Sequence, residues 1–69
     1  MELEIPYSFD RLPEKVQNAF NRLHKGATVK AVAKIETARE IIIYEIEVQQ
    51  GVKVLELFYT EDGEETTEY

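Results

Sequence analysis

Two alternating apolar segments joined by a glycine turn, together residues 41–60, form the clearest pattern in the chain. β-Branched and aromatic residues dominate both segments and no proline interrupts them, which predicts a β-hairpin. We place the tight turn at Gln50-Gly51, because glycine accepts the positive φ of a two-residue turn. Successive side chains of a strand point to opposite faces. The apolar face, which we assign to the core, contains Ile42, Tyr44, Ile46, Val48, Leu55, Leu57 and Tyr59.

The other face of this hairpin mixes apolar and acidic residues: Ile41, Ile43, Glu45, Glu47, Val54, Glu56 and Phe58. The turn position sets Glu45 opposite Glu56, a destabilising pair of like charges. It also makes Ile43 a direct cross-strand neighbour of Phe58. A contiguous apolar cluster rimmed by charge is typical of a protein-binding patch, while apolar residues scattered singly are normal on any surface.

A helical period occupies residues 13–25, ahead of the hairpin. Pro13 suits the first turn of a helix, and Gly26 suits the position just after its end. The apolar residues recur at the spacing of one helical face. They are Leu12, Val16, Ala19, Phe20 and Leu23. We expect this stripe to pack against a sheet.

A further strand is predicted between the helix and the hairpin, over residues 28–36. Its alternation assigns one set of side chains to the core face: Val29, Ala31, Ala33 and Ile35. The other set faces outward: Lys30, Val32, Lys34 and Glu36. A four-residue loop, residues 37–40, then sets Glu36 opposite Ile41, and the apolar faces of the two strands agree in this register. The same register sets Lys30 opposite Glu47 and Lys34 diagonal to Glu45.

The two ends of the chain carry weaker strand signals. Residues 1–11 read as a short strand that either ends at Pro6 or lies at an edge of the sheet, followed by a connection to the helix. Asp62-Gly63 is a turn signal, and residues 61–69 read as an acidic edge strand or tail, in which Thr66 and Tyr69 are the pairing residues. We therefore predict a single α+β domain, residues 1–69. One helix packs on one face of a three- to four-stranded antiparallel sheet, in the order (β)-α-β-β-β-(β).

Charge and composition reduce the number of functional classes to consider. The net charge of −6 argues against nucleic acid and against anionic membrane surfaces as partners. The chain has no Cys and one His, which excludes a Cys/His zinc site. His24 has no partner suggested by spacing, so we expect a solvated or helix-capping role for it instead of catalysis. No cofactor or metal motif is present, and we expect that the chain is not an enzyme.

Several short segments resemble the PepSY-like family, small α/β modules related in fold to β-lactamase-inhibitor repeats. The similarity spans residues 12–64. Its residues are Leu12-Pro13 with Val16 and Ala19, Gly26-Ala27, the strand Tyr44-Glu45-Ile46-Glu47-Val48, Gly51 and Asp62-Gly63. The resemblance implies an exported domain that binds or inhibits proteins, often attached to peptidases. This chain differs from that pattern in being a single copy without a signal segment.

These observations predict a non-enzymatic protein-interaction module that uses the open face of its sheet, with a peptidase as one candidate partner. The expected contact residues are Val32, Ile41, Ile43, Glu45, Glu47, Val54, Glu56 and Phe58. The alternative is a structural or self-associating domain, a homodimer or a unit of a larger assembly. We expect a cytoplasmic location if the chain is complete and an extracytoplasmic one if it is an excised domain of the family type.

Overall fold

A computed structural model describes residues 2–67 of the chain. Within this range the elements are β1 Leu3–Tyr7, a 3-10 turn Phe9–Arg11, α1 Glu14–Leu23, β2 Thr28–Glu36, β3 Ile42–Gln50, β4 Lys53–Thr60 and β5 Glu65–Thr66. All five strands form one antiparallel sheet in the order β1-β2-β3-β4-β5. The predicted α+β fold is confirmed, and both terminal strands form. Met1 and the predicted pairing residue Tyr69 lie outside the described residues.

Helix α1 begins after Pro13 and is shorter than predicted. The carbonyl of Pro13 accepts the N–H groups of Val16 and Gln17 at 2.9 and 3.1 Å. The helix ends where the His24 N–H donates to the carbonyl of Phe20, and Gly26 then takes a φ of +83°. The left-handed conformation of Gly26 ends the helix without the steric cost that a side chain would add.

The core lies between α1 and one face of the sheet, which we call the helix face. Its buried cluster consists of Leu12, Val16, Ala19, Phe20, Val32, Tyr44, Ile46, Val48 and Tyr59. Phe9 packs its ring edge against Phe20, with 5.4 Å between the centroids. Leu23, predicted in the apolar stripe, is 52% exposed, because it lies in the last turn of the helix.

The β3–β4 hairpin turns at Gly51-Val52, one residue later than predicted. Gln50 pairs with Lys53, so the whole register moves by two residues. Gly51 has a φ of +64° and Val52 does not have a positive φ, the pattern of a turn with glycine at its first central position. A shift of two leaves each side chain on its predicted face but changes its neighbour. Glu56 therefore lies opposite Glu47 instead of Glu45.

The predicted register of β2 against β3 is wrong by one residue, and the error reverses most of β2. The loop between the strands spans residues 37–41, and Glu36 pairs with Ile42 instead of Ile41. The hydroxyl of Thr37 accepts the N–H groups of Arg39 and Ile41 at 3.3 and 3.2 Å, which stabilises this longer loop. A shift of one residue moves every side chain of a strand to the opposite face.

A bulge between Val29 and Ala31 restores the predicted face at the start of β2. Val29 pairs with Val48 and packs against the core as predicted. Beyond the extra residue the alternation is reversed, because a bulge places two residues opposite one. The side chains of Val32, Lys34 and Glu36 therefore belong to the helix face. Those of Ala31, Ala33 and Ile35 belong to the other face, which we call the open face.

Candidate protein-binding face

The cross-strand pairs give the open face its layout. One row crosses the sheet through Glu4, Ile35, Ile43 and Thr60. A second row contains Pro6, Ala33, Glu45, Phe58 and Thr66. A third contains Ala31, Glu47 and Glu56. Acidic side chains thus occur in all three rows. Ala31 and Ala33 of β2 lie between β1, which carries Glu4, and β3, which carries Glu45 and Glu47.

The eight residues predicted to bind a partner do not form one surface. Val32 is in the core and is 8% exposed, because the bulge and the longer loop turn it toward α1. Ile43 lies on the open face but is 2% exposed, opposite Ile35 with the same exposure. Ile41 is in the loop before β3. The remaining five share the open side of β3 and β4: Glu45, Glu47, Val54, Glu56 and Phe58.

The predicted register makes Ile43 and Phe58 direct cross-strand neighbours, and the structure does not. Ile43 pairs with Thr60, and Phe58 pairs with Glu45. The two apolar side chains are therefore diagonal to each other across the strands. A central apolar patch built on that pair is not what the open face contains.

A groove of about 310 Å³ lies on the open face between β1 and β3. Ala31 and Ala33 of the intervening strand β2 form its floor, since their side chains are short. Glu4 and Pro6 border it on the β1 side, and Glu45 and Glu47 border it on the β3 side; Val32 also contributes to its lining. We call this feature the alanine groove. It has an apolar floor and acidic walls.

The carboxylates of Glu4, Glu45, Glu47 and Glu56, which we call the acidic row, repel one another. Partial burial raises the pKa of Glu45 above its usual range, and the negative charges of Glu56, Glu4 and Glu47 raise it further. Binding of a proton or a cation at the acidic row is therefore favourable, because it reduces this repulsion.

The Lys and Arg side chains within residues 2–67 do not neutralise the acidic row. Among residues 2–67, no Lys or Arg nitrogen lies within 4.0 Å of these four carboxylates. Lys34, expected beside Glu45, lies on the helix face and pairs with Glu36 at 3.6 Å. Lys30 was predicted to lie opposite Glu47. It is instead the extra residue of the bulge, and Ala31 pairs with Glu47. The negative potential of the open face is left uncompensated within the described chain.

Sequence reasoning missed the β1 and β2 contributions to this site. Glu4 alternates with apolar residues in the N-terminal strand, and this alternation was the available signal for its position. The predicted alternation assigns Ala31 and Ala33 to the core face. Their place on the open face follows from the longer loop after β2 and from the bulge at Lys30, which no local sequence feature marks.

A second groove, of about 380 Å³, lies beside the β4–β5 edge of the sheet. Its lining includes His24, Glu56, Leu57, Phe58, Glu65, Thr66 and Thr67. His24 Nε2 lies 2.7 Å from Glu65 Oε1, and the Tyr59 hydroxyl donates to the same oxygen at 3.3 Å. Burial raises the pKa of Tyr59, and the adjacent Glu65 charge and hydrogen bond raise it further. These contacts fasten β5 to the end of α1.

The described residues do not contain a cluster of three or more His, Asp or Glu side chains suited to a metal ion. Within residues 2–67, no helix has the length and apolar character needed to cross a membrane. No protein-family model matches the chain, and no curated protein is significantly similar to it. The similarity to the PepSY-like family therefore stays a prediction.

Proposed function

We propose that the chain is a non-enzymatic protein-interaction module that binds a basic segment of a partner protein on its open face. The observation that carries this proposal is the acidic row beside the alanine groove, without a Lys or Arg partner in the described chain. An acidic surface attracts cationic partners, speeds their encounter and selects against acidic ones. The net charge of −6 acts in the same direction.

The shape of the alanine groove supports a long cationic side chain as the contacting group. Lys and Arg place an aliphatic stem along apolar surface and keep the charged end near polar groups. In this groove the stem would lie on Ala31 and Ala33, and the charged end would reach Glu45 and Glu47. Such a contact would relieve the repulsion that raises the pKa of Glu45.

Fewer observations support the class of the partner protein and the alternative function. A peptidase is the partner that the PepSY-like resemblance suggests, and the proposed inhibitory role rests on that resemblance alone. Self-association is the competing function. The large exposed apolar residues are Leu3, Leu23, Ile41, Val52 and Val54. Because they are spread over both sheet edges, a loop, a turn and the helix, they do not form one contiguous patch, which disfavours a dimer through the open face.

The test compares two charge-matched double variants. Glu45→Gln with Glu47→Gln removes two charges from the groove wall, and Glu14→Gln with Glu64→Gln removes two exposed charges elsewhere. We expect a basic protein captured from lysate at low salt by the wild type to be lost with the first pair and kept with the second. Chemical-shift changes at Ala31 and Ala33 on adding the purified partner would place it in the groove.

Two results would contradict the proposal. Equal loss of the partner with both double variants would mean that net charge alone attracts it. A partner that causes shifts only on α1 would place binding on the helix side. Sedimentation of the wild type at several concentrations checks the competing function, since a dimer lost in the Glu45/Glu47 variant would favour self-association.

A further inference from the structure

The first half of β4, residues 53–57, forms a sheet edge without a partner strand among residues 2–67. Strand β5 pairs only with Phe58 and Tyr59, and it has two residues. On its other side β4 is paired with β3 from Lys53 to Thr60. The rest of β4 toward the turn therefore continues past the end of β5. We call residues 53–57 the β4 edge.

The hydrogen bonds of β4 show which residues of the β4 edge direct their backbone N–H and C=O groups outward. The Thr60 N–H donates to the Glu64 carbonyl at 2.9 Å, on the β5 side. In an antiparallel ladder, alternate residues direct their N–H and C=O groups to the same side. Val54 and Glu56 therefore present theirs outward, and Leu55 and Leu57 direct theirs to β3. An added strand could form up to four hydrogen bonds with Val54 and Glu56.

The other edge of the sheet is less suited to strand addition. Strand β1 contains Pro6, which lacks an N–H and is a common device for blunting sheet edges. The β4 edge contains no proline. Glu56 and Leu57 of the β4 edge line the second groove, which leaves space for a strand beside these two residues. These features distinguish the two edges.

We propose that the β4 edge binds an extended basic peptide of a partner protein as a sixth strand of the sheet. The charges decide the occupant. Glu56 and Glu65 line the second groove, and Val54, two residues before Glu56 on the same strand face, is 60% exposed. Opposite charges in direct cross-strand pairs are favourable, so the peptide residue facing Glu56 is Lys or Arg. Apolar residues of the peptide alternate with the basic ones and contact Leu55 and Leu57.

A second copy of this chain fits the edge less well. It would bring a second net charge of −6 and a second Glu56 to the same short strand. The basic peptide removes that repulsion and uses the same backbone groups. This site is a surface distinct from the alanine groove, so its failure would leave the proposed function of the open face intact, and the reverse also holds.

The experiment uses a blocked peptide Thr-Lys-Val-Lys-Val-Lys-Thr and measures amide hydrogen exchange by NMR. In the free protein we expect rapid exchange at Val54 and Glu56 and slow exchange at Leu55 and Leu57. Saturating peptide should slow exchange at Val54 and Glu56 by about tenfold or more, the effect of one or two added hydrogen bonds. The same peptide with Glu in place of Lys should not bind.

Two variants separate the backbone from the side chain. Val54→Pro removes the outward N–H and should weaken peptide binding by about tenfold, while the β3 ladder is kept because that N–H does not belong to it. Val54→Thr keeps the N–H and should bind within about threefold of wild type. If Val54→Pro is unfolded by circular dichroism, methylating the lysine amides of the peptide tests the same bonds, because the peptide residues directly opposite Val54 and Glu56 are lysines.

Several results would overturn the proposal. One is an absence of binding at millimolar peptide; another is binding without protection of Val54 and Glu56. Equal binding of the acidic peptide would refute the charge argument. Protection that appears with rising protein concentration and no peptide would show that a second copy takes the edge.

Discussion

The two faces of the sheet are built by the same strands and differ in almost every physical property. In β3, Tyr44, Ile46 and Val48 face α1 and are 0–5% exposed, while Glu45 and Glu47 alternate with them on the open face. The helix face is closed by aromatic and aliphatic packing. The open face has a groove, short side chains and charges that repel one another. Stability comes mainly from the first face and from the buried Ile35–Ile43 pair at one end of the open face. The rest of the open face is therefore free to carry residues that do not stabilise the fold.

The contrast predicts its largest effect in the core. Phe20→Ala should lower the free energy of unfolding by about 3–5 kcal/mol, since it leaves a cavity under α1. The matched change on the open face, Phe58→Ala, should cost less than half as much, because Phe58 is only half-buried. Urea denaturation of both variants measures the difference. Equal midpoints would mean that the open face contributes to stability as much as the helix face does.

A smaller effect is expected where the β4–β5 turn touches α1. Gly63 has a φ of +85°, and a side-chain carbon there would lie 2.5 Å from the Lys15 carbonyl oxygen. Gly63→Ala should therefore destabilise the protein by about 1–3 kcal/mol through strain and the clash. Gly51→Ala is the control, since its φ of +64° is also strained but the space around it is open.

Thermal unfolding of the two glycine variants isolates the contact. The Gly63 variant should melt at a lower temperature than the Gly51 variant, because only Gly63 lies against the helix. Equal loss from both would show that backbone conformation alone matters, and that the turn does not help to fasten α1 to the helix face.

The same contrast explains how much of the molecule the sequence could predict. The helix and the β3–β4 hairpin follow from periodic apolar residues, and each persists over eight or more positions, so small errors at their ends do no harm. A two-residue error at Gly51 preserved both faces of the hairpin. The candidate site depended on finer detail, since one extra loop residue and one bulge decided which side of β2 faces outward.

Those two local features have weak sequence signals for a physical reason. A bulge leaves the composition of the strand unchanged, and Val32 fits a core as well as an exposed strand position. Ala31 and Ala33 are small enough for either face. For this reason the prediction placed Val32 on the open face and the two alanines in the core, the reverse of the observed arrangement. Residues that tolerate both environments do not report which one they occupy.

The smallest expected effect concerns Glu45 and tests the electrostatic side of the comparison. Burial and the neighbouring carboxylates raise the pKa of Glu45 in the folded protein above its ordinary value of 4.5. The folded state therefore binds this proton more tightly than the unfolded state does. The charged form costs stability at pH 7, and that cost disappears as the pH falls through the raised pKa toward 4.5.

Glu45→Gln should consequently stabilise the protein at pH 7 by about 0.5 kcal/mol or less, a size typical of partly exposed positions, where solvent screens charges. The advantage should shrink with added salt, because salt screens the repulsion from Glu56 and Glu4. It should also vanish below about pH 4.5, where Glu45 is protonated in both states. Urea midpoints of wild type and variant at pH 7, 5.5 and 4 measure this difference.

Glu14→Gln serves as the control of opposite sign. Glu14 lies in the first turn of α1, where a negative charge is favourable, so its removal should leave stability at pH 7 unchanged or slightly lower. If Glu45→Gln instead destabilises the protein at pH 7, the Glu45 carboxylate has a favourable partner on the open face. A bound cation would then not be favoured on the open face, while the packing of the helix face would be unaffected.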